Sequence, residues 1–128
     1  NVIRGLHLQT KFSQEKYVSV LKGAIMDVVL DLRKKSKTFG KSFKIILSAK
    51  NATSLYIPEG FGHAYYSFDK INIIYYKLSD YYKPQFENGI NVMDKYLKIK
   101  WPKKKIFLSK KDKKLMTFKH FCKSQKFL

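Results

Sequence analysis

The sequence predicts a mostly β domain built as a sandwich or barrel, for which a jelly roll is the compact solution. Period-two alternation of β-branched and aromatic residues dominates residues 2–99. Turn residues interrupt this alternation at short intervals, and no helical pattern separates the segments. Many short strands without intervening helices favour a closed or double-sheet architecture, because it protects most strand edges.

The predicted strands are bounded by the Gly, Asn, Asp or Pro residues that tight reversals require. In chain order they cover residues 2–9, 16–21, 24–31, 42–48, 54–57, 63–68, 72–78 and a short stretch near Asn91. We expect a hairpin turning at Lys22-Gly23. At the C-terminal end Ser109 is predicted to cap a short helix from Lys110 onward, because its hydroxyl can accept a hydrogen bond from a free N–H group.

Length and composition predict one domain over residues 1–128. With 45% hydrophobic and 16% aromatic residues, the 128-residue chain is too apolar for a disordered basic tail. The single cysteine, Cys122, cannot form an internal disulfide, so a reducing, cytoplasmic setting is expected. No apolar run approaches the roughly 20 residues of a membrane span, and we expect no membrane association. The chain starts at Asn1 without methionine, and we expect an upstream segment to be missing.

The charge is concentrated in the C-terminal quarter. The chain has 27 Lys and Arg against 9 Asp and Glu, a net charge of +18, and residues 95–128 hold thirteen lysines and only one acid, Asp112. Two explanations stay open. The lysines reflect either a compositional bias of the source or a partner that carries negative charge.

His7 is the first candidate for chemistry. Strict alternation places Gly5, His7 and Gln9 on one strand face and Arg4 on the other, unless a bulge intervenes. An imidazole and an amide would then point into a barrel interior. His7 is either a hydrogen-bonded core histidine or a group that takes a proton near neutral pH.

Asp27 lies in a strand that is apolar almost throughout, where a carboxylate needs a partner. The nearest candidate is Lys16 on the preceding strand of the predicted hairpin. We therefore expect Lys16 and Asp27 to lie close together, either as a buried ion pair or with the lysine held beside a reacting oxygen.

Tyr75 and Tyr76 must face opposite sides of their strand, so only one can point inward, as packing or as an acid that shares a cavity with a histidine. A glycine-rich segment, Gly60-Phe-Gly62, precedes a second histidine, His63.

We expect neither a metal nor a cofactor. The three histidines do not have the spacing of metal ligands. The sequence also has no nucleotide-binding glycine loop and no serine-nucleophile motif.

Beyond these single residues, the chain carries an ordered set of short motifs. They are Arg4-Gly-Leu-His7-x-Gln9, Lys16-Tyr-Val18, Gly23-Ala-x-x-Asp27-Val-x-x-Asp31-Leu-Arg33, Thr38-Phe-Gly40, Ile57-Pro-Glu-Gly60-Phe-x-His63, Tyr76-Lys, Asp80-Tyr-Tyr82, Trp101-Pro and Leu108-Ser-x-x-Asp112. From Val2 to about Lys113, this order and spacing resemble the dTDP-4-dehydrorhamnose 3,5-epimerase family.

The resemblance implies a metal-free, homodimeric jelly roll of the cupin type that acts on a nucleotide-linked 4-keto-6-deoxy sugar. It implies that the catalytic positions are His7 as base, Tyr76 as acid, Asp112 paired with His7, Lys16 at the keto oxygen and Asp27 beside it. The implied substrate-binding residues are Arg4 and His63 on the diphosphate side, Tyr82 at the sugar, Lys111 in place of the family's usual arginine, and Gln9.

The resulting hypothesis is an epimerase that removes a proton next to the ketone and returns one to the opposite face, converting dTDP-4-dehydro-6-deoxyglucose to dTDP-4-dehydrorhamnose. One alternative keeps the fold but inverts a single centre or uses a GDP-linked sugar. The alternative from another class is a non-catalytic basic β-domain that binds nucleic acid. The ordered motifs favour the enzyme and make nucleic acid the less favoured partner.

Overall fold

A computed structural model describes residues 1–124, whose regular elements are nine strands and two short helices. The strands are β1 Val2–Gln9, β2 Lys16–Lys22, β3 Ala24–Asp31, β4 Ser42–Ser48, β5 Leu55–Ile57, β6 Phe61–Ser67, β7 Ile73–Leu78, β8 Glu87–Gly89 and β9 Phe107–Leu108. The helices are α1 Lys110–Lys113 and α2 Phe118–Ser124, and single 3-10 turns cover Pro84–Phe86 and Lys95–Leu97. The last four residues of the predicted domain lie outside this description.

The strands form two sheets, which confirms the predicted mostly β, jelly-roll class. The larger sheet has the order β4-β3-β6-β1-β8, with β9 also paired to β1, and the smaller has the order β5-β2-β7. The predicted cap is confirmed as well, since the Ser109 hydroxyl accepts a hydrogen bond from the Asp112 N–H at 3.0 Å. The strand predicted near Asn91 lies slightly earlier, as β8, because its backbone pairs with residues 7–9 of β1.

The predicted hairpin between β2 and β3 is wrong. β2 pairs with β5 and β7 in the smaller sheet, whereas β3 pairs with β4 and β6 in the larger one. Gly23, with a φ of +80°, lies where the chain passes from one sheet to the other. Local alternation cannot distinguish such a corner from a hairpin, because both join two strands with a short reversal.

The larger sheet is covered on both faces, which explains why β3 is apolar almost throughout. Ile25 and Val29 pack in one core cluster against Val18 and other residues of the smaller sheet. The alternate residues Met26, Val28 and Leu30 belong to a second cluster, which includes Phe118 and Phe121 from α2. Asp27 falls in the series that faces the smaller sheet, and this is the side on which the candidate site lies.

A bulge in β1 decides which side chains face that site. Arg4 is opposite Tyr65 and His7 is opposite His63, so β1 has one extra residue between these pairs. Arg4 therefore shares a face with His7 and Gln9, contrary to strict alternation, while Leu6 and Leu8 pack in the second core cluster. The bulge brings a guanidinium to the same cavity as the imidazole.

We expect Gly5→Ala to destabilise the protein by about 3 kcal/mol, because the bulge requires glycine there. Gly5 has a φ of +109°, and an added Cβ would collide with the backbone of His63 and Ala64 on β6. Urea unfolding measures the loss. Gly62→Ala is the matched control, since its Cβ would meet side chains and no backbone, the nearest being Leu32 at 3.2 Å, and Gly62 has no positive φ. Equal losses for both variants would contradict the requirement at the bulge.

Across residues 1–124 we find no helix with the length and apolar character needed to cross a membrane.

Candidate active site

A cavity of about 280 Å³ opens between the two sheets, near the lower end of the size range of small-molecule pockets. Seven of the ten site residues predicted above line it: Arg4, His7, Gln9, Lys16, His63, Tyr76 and Tyr82. Of the other three, Asp27 and Asp112 are buried behind the lining and Lys111 is exposed, and each contacts a lining side chain directly. The cavity therefore brings together the residues that the motifs indicated.

His7 is held by a carboxylate on its far side. Its Nε2 lies 2.6 Å from Oδ1 of Asp112, a residue only 1% exposed. The Ser109 cap fixes the backbone of Asp112 at the start of α1, beside β1. A carboxylate only accepts hydrogen bonds, so we assign the ring hydrogen to Nε2, which leaves the lone pair of Nδ1 free to accept a proton.

Asp27 pairs with His63 rather than with Lys16. Both Asp27 carboxylate oxygens lie 2.9 Å from Nε2 of His63, and the two side chains are buried. Within the described residues no Lys16–Asp27 ion pair forms, so the expected direct pairing is wrong. The reason is the topology: β3 is adjacent to β6, which carries His63, whereas Lys16 belongs to the facing sheet.

Lys16 is nevertheless close enough to Asp27 for the carboxylate to affect the pKa of the ammonium. Burial lowers the pKa of the Lys16 ammonium, while the nearby carboxylates of Asp27 and Glu87 partly offset that shift by raising it. The cavity therefore contains a cation whose charge is only partly compensated. Such a group can stabilise negative charge that develops on a ligand.

Tyr76 enters the cavity from the smaller sheet, opposite the wall that carries His7. Its ring stands edge-on to His63, with centroids 6.0 Å apart, while its neighbour Tyr75 is 45% exposed on the outer face. Burial raises the pKa of the Tyr76 phenol, and Tyr65 and Asp27 add to that increase. The phenol therefore carries its proton at neutral pH and can donate it.

Glu87 is a site residue that the sequence reasoning missed. Its Oε1 lies 3.8 Å from Nδ1 of His7, and its Oε2 accepts hydrogen bonds from Tyr82 and Lys111. Burial alone raises the pKa of Glu87, but the hydrogen bonds from Lys111 and Tyr82 outweigh it, so the net pKa is lowered. Glu87 lies between the strand predicted at residues 72–78 and the one predicted near Asn91, where no alternation could have placed it in the cavity.

The side-chain amide of Gln9 forms hydrogen bonds with backbone groups of two loops. Its Nε2 donates to the carbonyl oxygen of Phe12 at 2.7 Å, and its Oε1 accepts from the N–H of Lys83 at 2.6 Å. Both ends of the amide are therefore engaged with backbone, although the side chain borders the cavity. Substrate binding by Gln9 stays a prediction.

The two walls of the cavity have complementary chemistry. One wall carries an imidazole with a free nitrogen lone pair, and the other carries a protonated phenol, with an ammonium available for developing negative charge. These features define a jelly-roll protein with a two-faced acid–base site, able to take a proton from one side of a ligand and give one to the other.

Comparison with known proteins agrees with that class. The dTDP-4-dehydrorhamnose 3,5-epimerase family model matches residues 1–120. The chain belongs to this family. The Escherichia coli (strain K12) dTDP-4-dehydrorhamnose 3,5-epimerase is 40% identical over 119 residues, covering 91% of this chain and 64% of that protein.

Solved structures give the same result. The dTDP-6-deoxy-D-glucose-3,5-epimerase of Legionella pneumophila Philadelphia 1, in complex with dTDP-4-keto-L-rhamnose, matches with a TM-score of 0.87 and 41% identity, covering 91% of this chain and 62% of that one. A 3'-monoepimerase from Streptomyces bikiniensis, in complex with dTDP-quinovose, matches with a TM-score of 0.83 and 34% identity, covering 91% and 60%. This chain thus spans less than two thirds of the length of each of these relatives.

Proposed function

We propose that this protein is an isomerase that epimerises a dTDP-linked 4-keto-6-deoxy sugar without a metal or other cofactor, of the kind that converts dTDP-4-dehydro-6-deoxyglucose to dTDP-4-dehydrorhamnose. The observation that carries the proposal is the placement of the His7–Asp112 pair and the Tyr76 phenol on opposite walls of one cavity. Family membership supports the substrate class.

In the first step, Nδ1 of His7 takes a proton from the carbon next to the ketone. The C–H electron pair forms a carbon–carbon double bond, and negative charge moves to the keto oxygen. Such a proton is weakly acidic, so the base and the oxyanion stabilisation must act together. Lys16 supplies the positive charge at the oxygen, and the carboxylates of Asp112 and Glu87 stabilise the imidazolium that forms.

In the second step, Tyr76 donates its phenolic proton to the other face of the same carbon and the ketone re-forms. The centre is inverted, His7 holds one extra proton and Tyr76 has lost one, and exchange with solvent restores both groups. Arg4 and His63 would bind the diphosphate side of the substrate, and Tyr82 would border the sugar.

The full chain, incubated in D₂O with dTDP-4-dehydro-6-deoxyglucose, tests this proposal. Mass spectrometry and NMR of the sugar score deuterium and configuration at each carbon next to the ketone. Deuterium at both inverted carbons supports a 3,5-epimerase, and deuterium at one supports a mono-epimerase such as the Streptomyces bikiniensis relative. Turnover of only the GDP-linked sugar would correct the nucleotide, and no exchange with either substrate would exclude the enzymatic function.

We expect the activity to fall on the alkaline side at a lower pH than an ordinary lysine would give. The pKa of Lys16 is lowered by burial, so its ammonium loses the proton, and with it the oxyanion stabilisation, at a lower pH than a solvent-exposed lysine does. A pH profile of kcat/KM measures this alkaline fall in activity, which we call the alkaline limb. Lys16→Arg keeps the cation charged and should move the limb to higher pH, so a limb at the same pH in that variant would assign it to another group.

We further infer that residues 1–128 form one domain and that the working protein is a cytoplasmic homodimer. Support for the dimer comes from the outer face of the smaller sheet, which exposes large apolar side chains, Tyr17, Leu21, Tyr56, Ile73 and Tyr75. Sedimentation of the full chain decides the oligomeric state, and a monomer at micromolar concentration would contradict the dimer.

Nucleic-acid binding is the competing function, and it rests on charge. Every lysine from Lys95 to Lys123 is exposed, which favours contact with a polyanion. The cavity with its buried histidine–carboxylate pairs has no part in such contact. Stronger binding to random DNA than to dTDP-sugar at about 0.15 M salt would favour this function.

A further inference from the structure

Tyr65 is a second phenol of the cavity to which no motif assigned a role. It lies on β6, opposite Arg4 on β1 and opposite Asp27 on β3. Because side chains alternate, Tyr65 faces the same way as His63, whereas its neighbours Ala64 and Tyr66 pack in the second core cluster. The ring of Tyr65 packs against the core cluster between the two sheets, so its position is fixed.

The hydroxyl of Tyr65 has no hydrogen-bond partner among residues 1–124. Three other tyrosines differ, since the hydroxyls of Tyr56, Tyr66 and Tyr82 each donate to a neighbouring side chain. No fully buried side-chain polar atom of the described chain is left without a partner. The Tyr65 hydroxyl must therefore reach the open space of the cavity, where a ligand atom can meet it.

Charges around Tyr65 indicate what that ligand atom is. Burial raises the pKa of its phenol, the positive charge of Arg4 acts in the opposite direction, and the carboxylates of Asp112 and Asp27 raise it further, so the hydroxyl stays a donor that lies near a guanidinium. Arg4 is exposed and has no ion-pair partner within the described part of the chain. A protonated phenol next to an unpaired guanidinium fits an anionic oxygen.

Resting on the proposed function, we propose that the Tyr65 hydroxyl is a substrate-binding group that donates a hydrogen bond to a phosphate oxygen next to the sugar, together with Arg4. It binds the ground state and the transition state alike, because this phosphate does not react. Loss of the hydroxyl then raises KM and leaves kcat nearly unchanged.

The experiment compares wild-type full chain with Tyr65→Phe, which keeps the ring. We expect KM for the dTDP-4-keto sugar, and Kd for dTDP alone measured by calorimetry, each to rise about tenfold, with kcat within about twofold. Tyr96→Phe, which removes an exposed hydroxyl in the 3-10 turn Lys95–Leu97, away from the cavity, is the matched control and should change nothing. Thermal unfolding of both variants verifies the fold.

Two readouts separate the failure of this inference from that of the proposed function. Unchanged dTDP affinity in Tyr65→Phe overturns the role of Tyr65, as does a loss confined to kcat, which would make Tyr65 part of the chemistry. Absence of turnover in the wild-type chain overturns the proposed function, but a weaker dTDP affinity of the variant would still support the phosphate contact. A wild-type chain that fails to bind dTDP contradicts both.

Discussion

His7→Gln in the full chain is expected to reduce epimerisation by about 10³-fold and to abolish deuterium uptake from solvent. Glutamine has no group that can take a proton at neutral pH, so the carbon next to the ketone keeps its hydrogen. Without this first step no enolate forms, so there is no oxyanion for Lys16 to stabilise and no carbon for Tyr76 to protonate. Mass spectrometry of the sugar in D₂O measures the loss directly, independently of any coupled assay.

The choice of glutamine addresses the buried carboxylate behind His7. Alanine would leave Asp112, 1% exposed, without its hydrogen-bond partner and would add a stability cost to the catalytic one. The glutamine amide nitrogen reaches the position of the histidine Nε2 and can still donate to that carboxylate, so the variant should stay folded by thermal unfolding. His120→Gln, on the exposed side of α2, serves as the control. Wild-type deuterium uptake by His7→Gln would remove His7 from the role of base.

Much of the fold could be predicted because local pattern determines it. The bounds of β1, β3 and β4 follow from alternation and from the turn residues beside them. The Ser109 cap follows from side-chain chemistry, since the hydroxyl satisfies a free N–H of the first turn. These features depend on residues that are neighbours in the chain.

The features that could not be predicted depend on partners distant in sequence. The corner at Gly23 has the same local pattern as a hairpin, and only strand pairing separates the two. The bulge at Gly5 changes which side of β1 Arg4 faces, and it shows only against β6. Misreading the corner also produced the wrong partner for Asp27, because a hairpin would have placed Lys16 beside it.

The candidate site was predictable to the extent that motifs indicated it. His7, Lys16 and Tyr76 share one cavity, as the resemblance implied. Glu87 had no such signal, because its contacts with His7 and Lys111 depend on how residues 80–89 fold over the end of β1. A carboxylate in an irregular segment reveals its role only through its neighbours in space.

Tyr76→Phe is expected to separate proton exchange from inversion. In this variant His7 can still remove the proton, and its imidazolium can return one to the same face after exchange with solvent. The sugar should therefore take up deuterium with its original configuration retained, while net epimerisation falls by about 10³-fold. NMR of the product reports the configuration, and mass spectrometry reports the label.

The geometry makes this outcome specific to Tyr76. The phenol comes from the sheet opposite to His7, and since burial raises its pKa above the ordinary value, it is protonated at neutral pH. Phenylalanine preserves the packing of the ring against the core between the sheets, and Tyr75→Phe on the exposed face of the same strand is the control. Inversion at the wild-type rate in Tyr76→Phe would show that another group, or solvent, protonates the second face. If the variant lost deuterium uptake as well as inversion, Tyr76 would be needed for the first proton transfer. That result would contradict a mechanism in which His7 removes the proton and Tyr76 acts only in the second step.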